Sequence, residues 1–291
     1  METINCIVCG GSKTTPYIEV SDRLSKKTEL FQLVKCDCNF VYLNPRPPES
    51  NISTYYKSPD YDPHKLLKNN KLGKIYKIVQ RAALRWKFRK ISSFHQSGKL
   101  LDVGGGNGEF AAFMALQGWN VFIQDKISKL HKLSDSKNIN TVQNLEIIKE
   151  DEYFNVITLW HSLEHIHNID ELYSQLNRLL TPDGILLIAV PNINAPEIIF
   201  FNKKWAPFDA PRHLYHFQLK TLNELCSKYK FNIVRKYSLF QDTPYNILLS
   251  ITKNNPFQFI KGMLVFCYSI IVTLIRGPEH SSSLLVICRK A

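Results

Sequence analysis

Several common signals are absent from the 291 residues of this chain. It has no internal repeat and no long tract rich in glycine and serine, which argues against a solenoid and against a largely disordered protein. The first residues, METINCIVCGG, have neither a basic region nor an apolar stretch, so they do not read as a secretory signal. These absences predict a globular protein of the reducing cytoplasm.

Acidic residues are absent from one long basic stretch. Ten lysines and arginines occur between Lys65 and Lys90 without one acid, and they supply most of the net charge of +12. Seven of them recur every three or four residues, as on one face of a helix: Lys65, Lys68, Lys71, Lys74, Lys77, Arg81 and Arg85. The stretch predicts either a solvated helix face or a patch for an anionic partner, such as lipid headgroups, a phosphorylated sugar carrier or nucleic acid.

Long uncharged runs are also scarce. The longest one near the C-terminus covers fourteen residues, Gly262 to Ile275, and is shorter than the roughly 20 residues that a membrane-spanning helix needs. We therefore expect an apolar helix over 257–276 that packs on its own domain or on a partner, or that lies in a bilayer surface.

From Lys99 onward, apolar runs typical of buried strands alternate with helical patterns. The strand-like runs are KLLDVG, NVFIQD, INTV, FNVITLW, GILLIAVP, FNIVRKYSLF and SSLLVICRK. They predict an α/β fold with a doubly wound, seven-stranded, mostly parallel sheet over residues 98–291. Residues 47–97 are predicted to form a basic helical connector, and residues 1–46 a small cysteine-containing domain that ends in the proline-rich LNPRPPES.

The segment LLDVGGGNGEF, residues 100–110, places Gly104, Gly106 and Gly108 directly after the first of these strands. Such a loop is either a tight structural turn or a nucleotide site, since glycines permit close approach of the backbone to a ligand. A dinucleotide loop would have glycine where Glu109 stands, and the GK[ST] of a phosphate loop is absent. Asp125, at the end of the next strand, is placed to accept hydrogen bonds from ribose hydroxyls.

Together with FNVITLWHSLEHIHNIDELYSQLNRLLTPDGILLIAVPN, this loop resembles the class I S-adenosylmethionine (SAM)-dependent methyltransferases, in particular the branch with quinone and sugar methyltransferases. The resemblance extends across residues 99–240 and beyond. It implies a Rossmann-like fold and SAM as cofactor. In the implied site, the methionine part of SAM contacts Asp102, Gly104, Gly106 and Gly108. The ribose contacts Asp125, and the adenine contacts Asn144 or Leu145. The methyl donor faces Trp160 and His161.

Methyl transfer to a hydroxyl or to an acidic carbon requires a base, and histidine suits neutral pH. Two segments, WHSLEHIH and DAPRHLYHF, are rich in histidine. We expect His213 or His216 to be the general base, with His161 as the second candidate; packing or helix capping by these histidines is the alternative. A helical turn would stack His161 and His165 beside Glu164. For this group a structural or acid/base role is favoured over a metal site.

Four cysteines, Cys6, Cys9, Cys36 and Cys38, lie within the first 40 residues. CIVCGG is typical of a zinc knuckle, whereas Cys36 and Cys38 enclose one residue where two are usual. The segment resembles the short N-terminal ribbon that precedes the methyltransferase domain in one bacterial subgroup. It predicts a structural zinc site, with reduced free thiols or a redox role as alternatives; Cys226, Cys267 and Cys288 are expected in the core.

The sequence thus predicts a bacterial, cytoplasmic SAM-dependent methyltransferase that acts on a small molecule or on a glycan- or lipid-linked precursor. Peripheral membrane contact at the inner face is expected through residues 257–276 and the basic helix 65–90. One alternative is a nucleic-acid-binding protein or RNA methyltransferase that uses the ribbon and the basic helix, although acids balance the cations of the ribbon. Another is a scaffold that binds the cofactor without catalysis.

Overall fold

Seven strands form the large sheet of the protein, whose computed structural model describes residues 1–24, 29–56, 71–126, 138–251 and 256–291. With strands numbered in chain order, they are β4 (Lys99–Val103), β5 (Asn120–Gln124), β6 (Ile139–Val142), β7 (Phe154–Trp160), β8 (Leu180–Pro191), β10 (Phe231–Ser238) and β11 (Ser283–Lys290). Their order is β10-β11-β8-β7-β4-β5-β6, and only β11 runs antiparallel to its neighbours. This confirms the predicted doubly wound, mostly parallel sheet.

A second sheet of four strands contains β1 (Thr14–Ser21), β2 (Leu30–Cys36), β3 (Val41–Leu43) and β9 (Tyr215–His216). Its first three strands come from the N-terminal region, but β9 belongs to the segment that follows β8. Val41 pairs with His216 and Tyr42 with Tyr215 in an antiparallel ladder. The small sheet is therefore completed by a strand from the distant part of the chain.

Helices cover both faces of the large sheet. They are α1 (Glu49–Ile52), α2 (Lys71–Ser92), α3 (Glu109–Leu116), α4 (Ile169–Leu179), α5 (Ile198–Phe201), α6 (Leu219–Lys228), α7 (Asp242–Ser250) and α8 (Pro256–Arg276). Side chains of α2 and α3 pack in the core on one face, whereas α4, α6 and the small sheet share a continuous core on the other. The basic stretch continues into α2, and its residues 65–70 lie outside the described residues.

The local sequence explains these elements. Strands β4, β7 and β8 are buried on both faces, so almost every side chain along them is apolar. Helix α4 buries one stripe at helical spacing, from Ile169 to Leu179, and the side chain of Asn168 caps its first turn by accepting a hydrogen bond from the Glu171 amide. The parallel strands end at one edge of the sheet, and the loops that follow them lie together there.

Helix α8 buries only a narrow stripe of Gly262, Val265, Ser269 and Thr273. Large apolar side chains cover the rest of its surface, including Phe257, Phe259, Ile260, Met263, Leu264, Ile271, Leu274 and Ile275. Cys267 is exposed on this helix, so the prediction that it lies in the core is wrong, whereas Cys226 and Cys288 are buried as predicted. By length and composition it is the one helix of the described residues that could cross a membrane. The helix joins α7 to β11, and β11 pairs with β10, so both of its ends return to the same domain.

Candidate active site

The glycine loop between β4 and α3 adopts the left-handed conformations that its composition predicts. Gly104, Gly106 and Gly108 have φ angles of +70°, +54° and +69°. A Cβ atom on Gly104 would lie 2.6 Å from the Cβ of Ser162, so that a side chain cannot be placed there without movement of the β7 loop. Gly108 precedes α3, whose first amides face the loop. The loop is therefore shaped to bring backbone amides close to a ligand.

Two aspartates lie beside this loop. The Gly106 amide donates a 2.9 Å hydrogen bond to Oδ2 of Asp125, which follows β5. Asp102 is buried at the end of β4, and its Oδ1 accepts a 2.6 Å hydrogen bond from the Thr158 hydroxyl. Burial raises the pKa of Asp102 to about 6, against the opposing effects of Thr158 and Lys87. Asp125 is thus half-buried and hydrogen-bonded to the loop, whereas Asp102 is buried beneath it.

A cavity of about 670 Å³ opens at the carboxyl edge of the sheet. Four of the predicted cofactor residues line it: Gly104, Gly106, Asp125 and Asn144. Leu145, named as the alternative adenine contact, lines it as well. Asp102 and Gly108 lie in the same loop region but outside the cavity lining. Open α/β sheets bind ligands at this edge, and the volume is sufficient for a nucleoside cofactor together with a small acceptor.

His161 is the one predicted catalytic histidine that lines the cavity. It follows β7 with a φ angle of +54°, and its side chain is 36% exposed. Nε2 lies 2.8 Å from Oδ2 of Asp242, and Nδ1 lies 3.6 Å from Oε1 of Glu164. Burial alone would lower the pKa of His161, but Asp242 and Glu164 raise it to about 10. The resting protein therefore holds this imidazole in its charged form near neutral pH.

The predicted stacking of His161 and His165 on one helical turn is wrong. A short 3₁₀ turn covers only Leu163–His165 and begins after His161, whose positive φ separates the two rings. The Nδ1–H of His165 instead donates to the main-chain oxygen of Arg212 at 2.9 Å and lies 3.1 Å from the hydroxyl of Tyr56. The two histidines consequently face different partners.

His213, His216 and Trp160 lie outside the cavity lining. Nδ1 of His213 donates to the Pro207 oxygen at 2.7 Å, and burial together with His165 lowers the pKa of His213 to about 4. His216 belongs to β9, and burial lowers its pKa to about 3. Trp160 packs edge-to-face on Phe110, with the Lys87 ammonium 3.9 Å from its ring centre. The two histidine-rich segments of the sequence therefore did not show which of their side chains reach the cavity.

Several cavity residues had no signal in the sequence. Glu49 of α1 and Lys126 after β5 both line the cavity and form an ion pair at 2.6 Å. Tyr56, also in the lining, comes from the connector. Asp242 binds His161 from 81 residues further along the chain. The glycine motif could have directed attention to Lys126, one residue after Asp125, but only the fold brings the others to the site.

The four N-terminal cysteines come together as predicted. Sγ of Cys6 lies 3.6 Å from that of Cys38, and Sγ of Cys9 lies 3.5 Å from that of Cys36. All four sulfurs lie within 4.8 Å of one another. These separations exceed a disulfide bond and are close to the ~3.8 Å between thiolates bound ~2.3 Å from one tetrahedral zinc ion. The Gly11 amide points at Cys9 Sγ from 3.4 Å, as backbone amides do at such sites.

Comparison with known proteins adds the decisive observation to this geometry. A family model described as a methyltransferase domain matches residues 72–236, which include the glycine loop, most of the cavity lining and most of β10. The chain belongs to the class I SAM-dependent methyltransferases. The resemblance seen in its motifs is confirmed, and the glycine loop described above lies within the matched residues.

Curated relatives of the methyltransferase include two ubiquinone biosynthesis O-methyltransferases. The one from Rickettsia prowazekii is 29% identical over 46% of this chain and 56% of its own length. The one from Pelagibacter ubique is 28% identical over 54% of this chain and 75% of its own length. This methyltransferase thus spans little more than half the length of the first relative.

A solved structure shows the same fold. The 1,6-didemethyltoxoflavin-N1-methyltransferase of Burkholderia thailandensis, determined with bound 1,6-didemethyltoxoflavin and S-adenosylhomocysteine, superposes with a TM-score of 0.54. The match covers 92% of this methyltransferase and 98% of that chain at 14% sequence identity. At this identity the likeness concerns the fold alone.

Proposed function

We propose that the protein is a SAM-dependent methyltransferase that acts on a small molecule or on a glycan- or lipid-linked precursor. The hydrogen bond from the Gly106 amide to Asp125, at the mouth of the 670 Å³ cavity, is the observation that carries this proposal. It holds a carboxylate at the end of β5, where the ribose of a nucleoside cofactor binds in such sheets. Gly104 and Gly106 approach the methionine part, and Asn144 and Leu145 border the adenine.

The cofactor assignment is tested by SAM binding to Asp125→Ala, measured by calorimetry. Removal of a charged acceptor for two ribose hydroxyls costs about 1.5–3 kcal/mol, so affinity should fall about 10- to 100-fold. Asp183→Ala, which removes an exposed aspartate at the start of β8, is the matched control and should bind SAM like the wild type. A wild-type protein that binds no SAM would overturn the proposed function.

For the proton of the methyl acceptor, we propose a histidine base. His161 is the first candidate because it lines the cavity and because Asp242 orients its ring and stabilises its charged form. With its pKa raised, base catalysis by His161 uses the minor neutral form at pH 7. His213 and His216 are neutral there but lie behind the lining, so they are the second candidates.

Methyl transfer identifies the acceptor and tests the base. Radiolabelled SAM is incubated with a cell extract separated into lipid, glycan and nucleic-acid fractions, and the labelled fraction defines the substrate class. Replacement of the true base by glutamine should then lower kcat about 10²- to 10⁴-fold while SAM affinity is kept. Unchanged rates for all three of His161→Gln, His213→Gln and His216→Gln would contradict the assignment of a histidine base.

We also propose a structural zinc ion bound by Cys6, Cys9, Cys36 and Cys38. Four thiolates leave no open position, so the ion would hold the small sheet together and take no part in methyl transfer. Cys9 and Cys36 are 27 residues apart, so such an ion would join the segment before β1 to the end of β2.

A peripheral contact with the inner face of a bilayer is proposed through the outer surface of α8. Its exposed apolar side chains form a band between Lys261 and Arg276, without an acidic residue from Phe257 to Arg276. A helix of this type lies in the headgroup region, where anionic lipids attract the flanking cations. This contact suits a lipid-linked or otherwise amphiphilic substrate.

Two lysines of α2 that are not among the seven residues of its basic face have structural contacts. The Lys87 ammonium lies over the rings of Trp160 and Phe110, and the Lys90 ammonium lies 4.0 Å from the ring centre of Tyr237. These two cations fix α2 against the large sheet. A nucleic-acid substrate would show as label in that fraction of the extract.

A further inference from the structure

Two short segments of the fold bring an acid and two histidines together beside the cavity. Glu164 and His165 lie in the 3₁₀ turn after β7, and His213 lies just before β9. The Leu214 amide donates a 2.8 Å hydrogen bond to the main-chain oxygen of Glu164, which joins the segments. One potential ligand atom from each of the three side chains lies within 4.8 Å of the others. The cluster is separate from the four cysteines.

The hydrogen bonds of the two histidines determine which nitrogen is available. A carbonyl oxygen only accepts, so Nδ1 of His165 donates to Arg212 and Nδ1 of His213 donates to Pro207. Each Nε2 therefore carries the lone pair. This is the state in which histidine binds a metal, and a main-chain oxygen on the other nitrogen is the usual means of fixing it. The rings meet edge-to-face with centroids 4.6 Å apart.

Glu164 supplies the second, independent observation. Its side chain is fully buried, and neither carboxylate oxygen has a hydrogen-bond partner among the described residues. Among the described residues it forms one ion pair, with the ring of His161, whose Nδ1 is 3.6 Å from Oε1 and therefore beyond hydrogen-bond distance. A buried carboxylate without hydrogen bonds is costly, and native proteins keep such groups paired or bound to a metal. Nε2 of His216 is likewise buried without a partner among the described residues.

We propose that Glu164, His165 and His213 bind a first-row divalent cation, of which Zn²⁺ is the representative, at the wall of the cavity. Two imidazoles and one carboxylate are a common ligand set for such ions, and three protein ligands leave positions open. Ligand atoms around one tetrahedral zinc ion lie ~3.4 Å apart, so small side-chain rotations would complete the site.

The role of the ion, unlike its binding, rests on the proposed methyltransferase function. Because His165 lines the cavity, an open position of the ion would be available to an oxygen of the methyl acceptor. A bound divalent cation stabilises the deprotonated form of a hydroxyl and orients it. The ion would also occupy the lone pair of His213, which removes His213 from the candidate bases and leaves the minor neutral form of His161, or His216, to receive the proton. The acceptor class implied is a molecule with a hydroxyl that ionises on metal binding.

Metal content tests the site directly. The full chain is saturated with Zn²⁺, dialysed and measured by mass spectrometry of the metal. Glu164→Gln keeps the size of the side chain and should lose one equivalent relative to the wild type, and Cys6→Ser should lose a different one. Glu197→Gln is the matched control, since Glu197 is also fully buried with one unpartnered oxygen, but outside any metal-binding cluster of the described residues. It should retain the wild-type content.

Cobalt spectra keep the test independent of how the variants fold. Wild-type protein loaded with Co²⁺ should show visible bands of a nitrogen- and oxygen-bound ion that persist in Cys6→Ser, where the sulfur-to-metal bands are lost. Wild-type zinc content in Glu164→Gln, or loss of all cobalt bands in Cys6→Ser, would overturn the site. SAM binding is measured in the same samples: protein that holds this ion but binds no SAM would overturn the proposed function alone.

Discussion

Gly104 and Gly106 provide a matched pair for testing why the cofactor loop requires glycine. Both have a positive φ angle, so alanine at either position costs about 1–2 kcal/mol in backbone conformation. At Gly106 a Cβ atom would meet nothing within 4 Å, whereas at Gly104 it would lie 2.6 Å from the Cβ of Ser162. Ser162 cannot move freely, because its hydroxyl donates a 2.8 Å hydrogen bond to the buried Val103 oxygen.

Gly104→Ala should therefore carry an additional overpacking cost of about 1–3 kcal/mol that Gly106→Ala lacks. At about 2–4 °C per kcal/mol, its thermal midpoint should lie several degrees below that of Gly106→Ala, as measured by circular dichroism. SAM affinity should fall in both variants, because both residues line the cavity.

The contact itself is isolated by adding Ser162→Gly to each alanine variant. Removal of the opposing Cβ should recover about 1–3 kcal/mol with Gly104→Ala and nothing with Gly106→Ala, as in a double-mutant cycle. Equal midpoints for the two alanine variants, or equal responses to Ser162→Gly, would refute the reasoning that β7 dictates glycine at position 104.

Three further predictions concern pH, zinc and the membrane. Burial raises the pKa of Asp102 from 3.8 to about 6, so folding favours its protonated form. The resulting contribution to the free energy of unfolding is ~3 kcal/mol. It is complete below about pH 3.8 and is lost as the pH rises through about 6. Asp102→Asn should gain stability relative to the wild type as the pH rises from 4 to 7, and a pH-independent difference between their thermal midpoints would contradict this. Cys6→Ser should release one zinc equivalent and lower the midpoint, whereas Cys267→Ser, which changes an exposed cysteine of α8, should do neither. Leu264→Glu combined with Leu274→Glu should abolish sedimentation with anionic vesicles. Leu116→Glu, at an exposed apolar site on α3, should not, and equal binding by the wild type and both variants would exclude α8 as the contact.

The sequence was sufficient for the sheet and for the cofactor loop because both depend on short-range patterns. Buried parallel strands are apolar at most positions, and the glycine loop and Asp125 both lie within residues 99–125, which cover the first strand of the large sheet and the next. The sequence also predicted that the four cysteines come together, because the spacing in CIVCGG is a local motif.

The histidines show where such patterns stop. Whether His161 or His213 reaches the cavity depends on the positive φ at His161 and on the approach of Asp242, which is contributed by α7 after β10. Neither leaves a periodic signal in the sequence. The pairing of β9 with β3 was missed for the same reason, because two residues are too few to show the alternation of a strand.

That pairing has a consequence for biosynthesis. Strand β3 leaves the ribosome about 170 residues before β9, which at about 5–20 residues per second is a delay of roughly 10–30 s. During this interval β3 is an uncovered sheet edge beside four cysteines, in a form that is prone to pair with other chains. Early binding of zinc would protect the thiols until β9 has been synthesised and has paired with β3. The supply of the metal during translation should accordingly influence how much of the protein reaches its native state.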